Sequence, residues 1–120
     1  MKRILLAEDE EVLRMLVVDT LEDEDYKVDE ASDGQEALDL FKNHEYDLLI
    51  VDYMMPILTG LELIEKIRET NLDIKIMMLS AKSQEFEIEK VLSAGANYFM
   101  AKPFSPLQLL EKIEEILDEN

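Results

Sequence analysis

The chain has 120 residues, 48% of them hydrophobic, which suits one globular domain with a single core. Its net charge of −17 argues against direct binding to nucleic acid or to an anionic membrane surface. The absence of cysteine excludes disulfides and thiolate chemistry. No apolar run is long enough to span a membrane, and the acidic run that begins at Glu8 comes too early for a signal peptide, so we expect a cytoplasmic protein.

The first part of the chain predicts two strands and two helices. Residues 2–7 form a short apolar strand, and apolar residues then recur at intervals of three and four, which predicts a helix ending near residues 22–25. Residues 26–31 alternate in polarity, as a half-exposed edge strand does, and a turn at residues 32–34 begins the second helix. The expected buried helix positions are Leu13, Leu16, Val17, Thr20 and Leu21, followed by Ala37, Leu38 and Phe41.

An unbroken apolar segment, residues 48–51, runs directly into Asp52 and predicts a strand buried on both faces. Asp is rarely buried without a partner, so this carboxylate is not expected to be core filler. Thr59 followed by Glu62 fits a capping box at the start of a third helix. The expected inner positions of that helix are Leu61, Ile64 and Ile67.

A fourth strand–helix unit follows. Residues 74–79 form an apolar strand that ends in Ser80. Ser83 is a candidate cap for the next helix, and Gly95 is a typical helix stop. The expected inner positions of this helix are Ile88, Val91 and Leu92.

The last unit begins with residues 98–101, a short strand that ends at Lys102. Ser105 and Gln108 form a second capping box, with Pro106 at the first helical position. The expected buried positions of the last helix are Leu109, Leu110, Ile113, Ile116 and Leu117.

Five alternating strands and helices predict an α/β fold, in which a parallel sheet lies between two layers of helices. A doubly wound sheet of five strands favours the flavodoxin-like order 2-1-3-4-5, with one domain covering residues 1–120. In that order a ligand site is expected at the carboxyl ends of strands 1 and 3, where the chain direction across the sheet reverses.

Polar side chains follow four of these strands. Glu8 and Asp9 follow strand 1, Asp52 ends strand 3, Ser80 ends strand 4, and Lys102 ends strand 5. Three carboxylates about 4 Å apart repel by about 4 kcal/mol per pair at an effective dielectric constant near 20, so they require a cation or raised pKa values. Oxygen ligands with room for water suit Mg²⁺. An Asp beside Mg²⁺ can act as a nucleophile toward phosphorus, while an amine and a hydroxyl hold the phosphoryl oxygens.

Four segments along the chain carry a recognisable pattern: residues 4–10, residues 47–56 with Gly60, residues 78–81, and residues 94–96 through 102–104. Through these segments the sequence resembles the receiver domain of two-component response regulators along its full length. One such motif alone is weak, but four in order and at the family's spacing are specific.

The resemblance implies that Asp52 is the phospho-acceptor. It implies that Glu8, Asp9, Asp52 and the backbone carbonyl of Met54 hold Mg²⁺, and that Lys102 contacts the phosphoryl group. Glu8 stands where the family more often has Asp, and its longer side chain is expected to reach the metal through water.

The resemblance also implies a conformational switch. Ser80 takes the place of the frequent Thr as the switch hydroxyl that binds a phosphoryl oxygen. Phe99 takes the place of the frequent Tyr as the rotating aromatic, and without a hydroxyl its inward rotation depends on packing alone. Pro103 commonly follows a cis peptide bond in this family.

The expected function is that of a signalling switch rather than a conventional enzyme. A histidine kinase or histidine phosphotransfer protein donates the phosphoryl group, and the surface of helix 4, strand 5 and helix 5 then changes its affinity for a downstream protein or a C-terminal effector domain. The sequence is compatible with a stand-alone receiver and with a fragment of a longer regulator. Met54 has no polar group to orient an attacking water, so we expect slow self-dephosphorylation.

Three alternative functions share part of this sequence pattern. An aspartate-nucleophile phosphatase usually carries a second Asp two residues after the nucleophile, where this chain has Met54. A flavin-binding electron carrier needs an uncharged phosphate loop after strand 1, where this chain has residues 8–11, all acidic. A degenerate receiver would act as an interaction module independent of phosphorylation. His44 is expected to be an exposed loop residue rather than a phosphocarrier, and Lys82 a solvated charge rather than a modulator of the site.

Overall fold

A computed structural model describes residues 1–81 and 88–118. Within them, strands and helices alternate along the chain, as the sequence predicts. Their bounds are β1 Arg3–Ala7, α1 Glu11–Glu22, β2 Lys27–Ala31, α2 Gly34–Asn43, β3 Leu48–Asp52, α3 Gly60–Arg68, β4 Lys75–Ala81, α4 Ile88–Ala94, β5 Tyr98–Lys102 and α5 Pro106–Leu117.

The five strands form one parallel sheet in the order β2-β1-β3-β4-β5, which confirms the doubly wound topology. The register aligns the carboxyl ends of the central strands. Ala7 of β1 lies opposite Val51 of β3, and Ala81 of β4 lies opposite Lys102 of β5. The residues that follow these positions therefore emerge at one edge of the sheet.

Each face of the sheet carries its own apolar layer. Every residue of β3 is buried, and because successive side chains of a strand point to opposite faces, Leu49 and Val51 join one layer while Leu48 and Ile50 join the other. The first layer packs against α2, α3 and α4, and the second against α1 and α5. The helical residues buried in these layers are Ala37, Leu38, Leu63, Ile64, Ile67 and Val91 on one face, and Val17, Leu21, Leu109, Ile113 and Ile116 on the other.

The predicted helix starts are confirmed by their caps. The Thr59 side chain accepts a hydrogen bond from the Glu62 amide at 3.2 Å, and the Glu62 side chain accepts one from the Thr59 amide at 3.0 Å. Ser105 and Gln108 make the same reciprocal pair at the start of α5. Each box satisfies two backbone donors that the first helical turn leaves unpaired.

Two predicted helix positions are wrong. Leu16 and Leu92 are 42% and 45% exposed, because the buried stripes of α1 and α4 centre on the neighbouring residues Val17 and Val91. Ser83 and Lys82 lie outside the described residues. Among the helices that the structure describes, none is both long and apolar enough to cross a membrane.

The loop between β3 and α3 contains a strained residue. Ile57 has φ 69°, and the Leu58 amide donates to the Pro56 carbonyl at 2.7 Å, which closes a γ-turn around it. A left-handed backbone costs an L-residue about 1–2 kcal/mol, and β-branched residues adopt it least readily. The Ile57 side chain is 77% exposed, so little burial offsets that cost.

We predict that Ile57→Gly raises the free energy of unfolding by about 0.5–1 kcal/mol, because removing about 1–2 kcal/mol of left-handed strain outweighs the entropic cost of glycine. Urea denaturation at neutral pH measures the change. Leu72→Gly is the matched control. Leu72 is likewise an exposed aliphatic residue in a loop, 81% exposed, but it is not among the described residues with positive φ. That change should lower stability by about 0.5–1 kcal/mol through unfolded-state entropy. Equal losses in both variants would contradict the assignment of strain to Ile57.

Candidate functional site

One ammonium group joins two carboxylates at the carboxyl edge of the sheet. Lys102 Nζ lies 2.9 Å from Glu8 Oε1 and 3.0 Å from Asp52 Oδ1. Glu8 is fully buried and Asp52 is 6% exposed. The sequence predicted that these three side chains converge, and the structure brings them into direct contact.

The backbone around both carboxylates is held in place by hydrogen bonds. The Glu8 amide donates to the Ala31 carbonyl at 3.0 Å, and the Glu8 carboxylate accepts from the Glu10 amide at 3.0 Å through Oε2. Beyond Asp52, the Tyr53 amide donates to the Leu79 carbonyl at 2.9 Å. The first two bonds fix Glu8 between β2 and α1, and the third continues the pairing of β3 with β4 past Asp52.

Gly60 allows α3 to begin close behind Asp52. A Cβ atom at Gly60 would clash with the Asp52 carbonyl oxygen and would lie 3.0 Å from Val51 Cγ1. The Gly60 amide also donates to the Tyr53 carbonyl at 3.1 Å. Glycine is therefore needed here for close packing, because a larger residue would displace the strand end that carries Asp52.

The acidic side chains at this edge form a potential cation site. Ligand oxygens of Glu8, Asp9 and Asp52 lie within 4.8 Å of one another. Asp9 is exposed, which leaves one side of the cluster open to water. This donor set fits Mg²⁺, which prefers carboxylate oxygens and retains several waters. The Met54 side chain is 58% exposed, and the role of its backbone carbonyl stays a prediction.

The electrostatics of the site are dominated by burial. Burial, and then the charge of Glu8, raise the pKa of Asp52 to about 7, although Lys102 opposes this change. Burial disfavours the Lys102 ammonium, but hydrogen bonds and charge from Glu8 and Asp52 outweigh it and raise the pKa of Lys102. Lys102 thus stays charged, while ionisation of Asp52 is unfavourable unless a further cation is present.

The two predicted switch residues lie on neighbouring strands. Ser80 is 2% exposed and follows Leu79, which lies opposite Asp52 in the register of β3 and β4. Phe99 of β5 is partly buried and packs against the apolar layer that contains Val91 of α4. The peptide bond between Lys102 and Pro103 is cis, as the family resemblance implied.

Arg14 was not predicted from the sequence as part of this site. Its Nη1 atom donates to the Glu8 backbone carbonyl at 2.8 Å, and its Nε atom donates to Glu30 Oε1 at 3.3 Å. The contact spans six residues from a strand end to a helix, so no local periodicity signals it.

A cluster of Arg3, Asp29 and Tyr46, also not predicted from the sequence, lies at the opposite edge of the sheet. Arg3 donates to Asp29 from Nε at 3.1 Å and from Nη2 at 2.8 Å, and the Tyr46 hydroxyl donates to the same carboxylate oxygen at 2.7 Å. Burial opposes ionisation of Asp29, but the bonds from Tyr46 and Arg3 outweigh it and lower the pKa of Asp29. His44 is exposed beside Tyr46, as expected of a loop residue.

The chain is similar to known proteins along nearly its whole length. The family model "Response regulator receiver domain" matches residues 4–114. The chemotaxis protein CheY of Halobacterium salinarum is 34% identical over 97% of this chain and 97% of its own length. The alkaline phosphatase synthesis transcriptional regulatory protein PhoP of Bacillus subtilis is 40% identical over 97% of this chain, but only 48% of its own length is covered. The response regulator ArlR of Staphylococcus aureus is 39% identical over 98% of this chain and 53% of its own length, so the chain spans about half of these two regulators.

Solved structures with the same fold include response regulators. The response regulator TrrA of Thermotoga maritima, in complex with Mg²⁺ and BeF, is 38% identical with a TM-score of 0.87, over 97% of this chain and 99% of that chain. A CheY-like receiver domain protein of Methanospirillum hungatei is 33% identical with a TM-score of 0.92, over 98% of this chain and 94% of that chain.

We predict that Asp52→Asn stabilises the metal-free protein at neutral pH but not at acidic pH. The folded-state pKa of Asp52 is raised from 3.8 to about 7, so the folded protein favours the protonated carboxyl of Asp52. The stability that this preference contributes is complete below pH 3.8 and is lost as the pH rises toward 7. One pKa unit is worth about 1.4 kcal/mol, so the variant should gain roughly 2–4 kcal/mol over the native chain across this interval. Urea denaturation in EDTA at several pH values measures the difference.

The control for this prediction is Ser80→Ala, a change between two uncharged residues at the same sheet edge. Its difference from the native chain should not vary with pH. A constant difference for Asp52→Asn as well would contradict the raised pKa of Asp52.

Proposed function

This chain belongs to the response regulator receiver domain family, and we propose that Asp52 is its phospho-acceptor in a Mg²⁺-dependent reaction. Members of this family are phosphoryl-accepting signalling modules. The observation that carries the proposal is the shared contact of Lys102 with the buried carboxylates of Glu8 and Asp52. It combines a nucleophile, an amine and a potential metal site at one sheet edge.

The proposed reaction transfers a phosphoryl group from a histidine of the donor protein to Asp52. A carboxylate oxygen of Asp52 attacks the phosphorus of a phosphohistidine, the phosphorus–nitrogen bond breaks, and an acyl phosphate forms on Asp52. The Lys102 ammonium already lies 3.0 Å from Asp52 Oδ1, from where it would donate to a phosphoryl oxygen. Mg²⁺ held by Glu8, Asp9, Asp52 and the Met54 carbonyl would neutralise charge on the phosphoryl oxygens.

Glu8 is proposed to act on the metal indirectly. Its two carboxylate oxygens already accept hydrogen bonds, one from Lys102 at 2.9 Å and one from the Glu10 amide at 3.0 Å. Contact with the metal through water keeps both bonds intact. This arrangement supports the expectation that the longer Glu side chain serves where the family more often has Asp.

We propose that the phosphoryl group acts through Ser80 and Phe99. The Ser80 hydroxyl donates to a phosphoryl oxygen, and Phe99 repacks toward the space that Ser80 leaves. Because Phe99 packs in the same layer as Val91, its movement changes the contacts of α4 and hence the surface of α4, β5 and α5. The acyl phosphate carries about two negative charges and three acceptor oxygens in place of the single charge of the Asp52 carboxylate, and this change can bias a two-state element.

The proposed phosphoryl donor is a histidine kinase or a histidine phosphotransfer protein. The proposed output is binding of a downstream protein or contact with an effector domain. Both outputs are proposed because the chain covers 97% of the length of the relative CheY but only 48% of the length of the relative PhoP. A cytoplasmic location and a single domain over residues 1–120 stay predictions.

The central test is the intact mass of the chain after incubation with acetyl phosphate, with MgCl₂ or with EDTA. We expect a gain of one phosphoryl group that requires both Mg²⁺ and Asp52. Asp52→Asn should gain none. Asp47→Asn is the matched control, because Asp47 is exposed at the opposite end of β3, and it should gain as much as the native chain. No gain with acetyl phosphate or with a phosphorylated histidine kinase would indicate a degenerate receiver instead.

We predict that Met54→Asn or Met54→Glu shortens the lifetime of the acyl phosphate severalfold. Each substitution supplies a polar group that can orient the attacking water, which the thioether of Met54 does not. Loss of the phosphoryl group over time, followed by intact mass, measures the lifetime. Met54→Leu is the apolar control and should behave like the native chain, and unchanged lifetimes in all three variants would refute the role of this position.

A further inference from the structure

Arg14 connects three elements beside the acidic cluster. It lies on α1, its Nη1 atom donates to the Glu8 backbone carbonyl at 2.8 Å, and its Nε atom donates to Glu30 Oε1 at 3.3 Å. Its side chain is 18% exposed, so the guanidinium is largely withdrawn from water. The side chain therefore joins α1 to the end of β1 and to β2.

The contacted carbonyl belongs to the peptide group between Glu8 and Asp9. A peptide group is planar, so the direction of this carbonyl also sets the position of the Asp9 Cα atom. Glu8 itself is already fixed, since its amide donates to Ala31 and its carboxylate accepts from Lys102 and Glu10. The bond from Arg14 is a further restraint, because it holds the carbonyl of the following peptide group directly.

The position of Asp9 matters because its carboxylate completes the cation site. Its ligand oxygen lies within 4.8 Å of those of Glu8 and Asp52, although the Asp9 side chain is exposed. An exposed side chain receives little help from packing, so its position depends on the backbone that carries it. A shift of that peptide group would move one ligand away from the other two.

We propose that Arg14 is a positioning residue for the Mg²⁺ site, which orients the Glu8–Asp9 peptide group and thereby places the Asp9 carboxylate. This role rests on the proposed function of the site. It differs from the roles of Glu8, Asp9, Asp52 and Lys102, because Arg14 acts through the backbone and touches neither the phosphoryl group nor the metal. Groups that hold metal ligands in place commonly change metal affinity by about 10- to 100-fold when they are removed.

The sign of the effect separates positioning from simple electrostatics. Removing the positive charge of Arg14 near a cation site should by itself strengthen Mg²⁺ binding. Loss of positioning should weaken it. A weaker affinity after removal of Arg14 is therefore opposite to what charge alone produces.

The experiment is a titration of the ¹⁵N-labelled chain with MgCl₂, followed by the amide chemical shifts of Asp9 and Asp52. We expect the Mg²⁺ dissociation constant of Arg14→Met to be about tenfold higher than that of the native chain. Arg14→Lys keeps the charge but has a single donor nitrogen, so it cannot bond Glu8 and Glu30 as the guanidinium does, and its dissociation constant should fall between those of the other two proteins. The spectra themselves report whether each variant is folded.

Arg3→Met is the matched control. Arg3 also joins β1 to a carboxylate of β2, through two bonds to Asp29, but at the opposite edge of the sheet. This variant should lose stability and keep the native Mg²⁺ affinity. Equal weakening in Arg3→Met and Arg14→Met would overturn the proposal, because a general loss of stability would then explain both.

Two other outcomes are informative. Unchanged or stronger Mg²⁺ binding in Arg14→Met, with normal binding in the native chain, would overturn the role of Arg14 alone. Absence of Mg²⁺ binding at Asp9 and Asp52 in the native chain would overturn the proposed metal-dependent function, and the role of Arg14 with it.

Discussion

The site depends on one lysine that serves two buried carboxylates. Lys102 contacts Glu8, which is 94 residues away in the chain, and Asp52, and both acidic side chains are almost fully removed from water. A single positive charge does not balance two negative charges in such a place, and the pKa of Asp52 rises to about 7 despite the lysine. Asp9 adds a third carboxylate. The protein thus maintains an excess of negative charge that a divalent cation can neutralise.

The strand order explains how these residues meet. Ala7 and Val51 are register partners in adjacent strands, so the next residues, Glu8 and Asp52, emerge side by side. Lys102 comes from β5, and β4 lies between it and Asp52. The intervening strand ends in the small residues Ser80 and Ala81, and the long lysine side chain reaches across that end. A shorter basic side chain, or a bulky residue at the end of β4, would not allow the same contact.

Much of this arrangement could be predicted from the sequence because it follows from local patterns. Apolar runs located the strands, capping residues located the starts of α3 and α5, and the order of strands placed Glu8, Asp52 and Lys102 at one edge. The helix faces were less certain, since Leu92 and Val91 are equally apolar and only packing shows which is buried. The bond from Arg14 to the Glu8 carbonyl was not predictable, because it joins a side chain to a backbone atom without any periodic signal. Family resemblance supplied the roles of the site residues, which geometry alone does not.

The amino and carboxyl edges of the sheet shift the pKa of a buried or partly buried Asp in opposite directions. At the amino edge, Arg3, Asp29 and Tyr46 form a fully paired cluster that lowers the pKa of Asp29 and favours its ionised form. At the carboxyl edge, ionised Asp52 is disfavoured, and Ile57 holds a strained backbone five residues later. A ligand that binds only the folded state and neutralises the carboxyl edge stabilises the protein by its own binding energy. The uncompensated charge therefore lies at the carboxyl edge, where a bound cation would remove it, while the cluster at the amino edge is already paired.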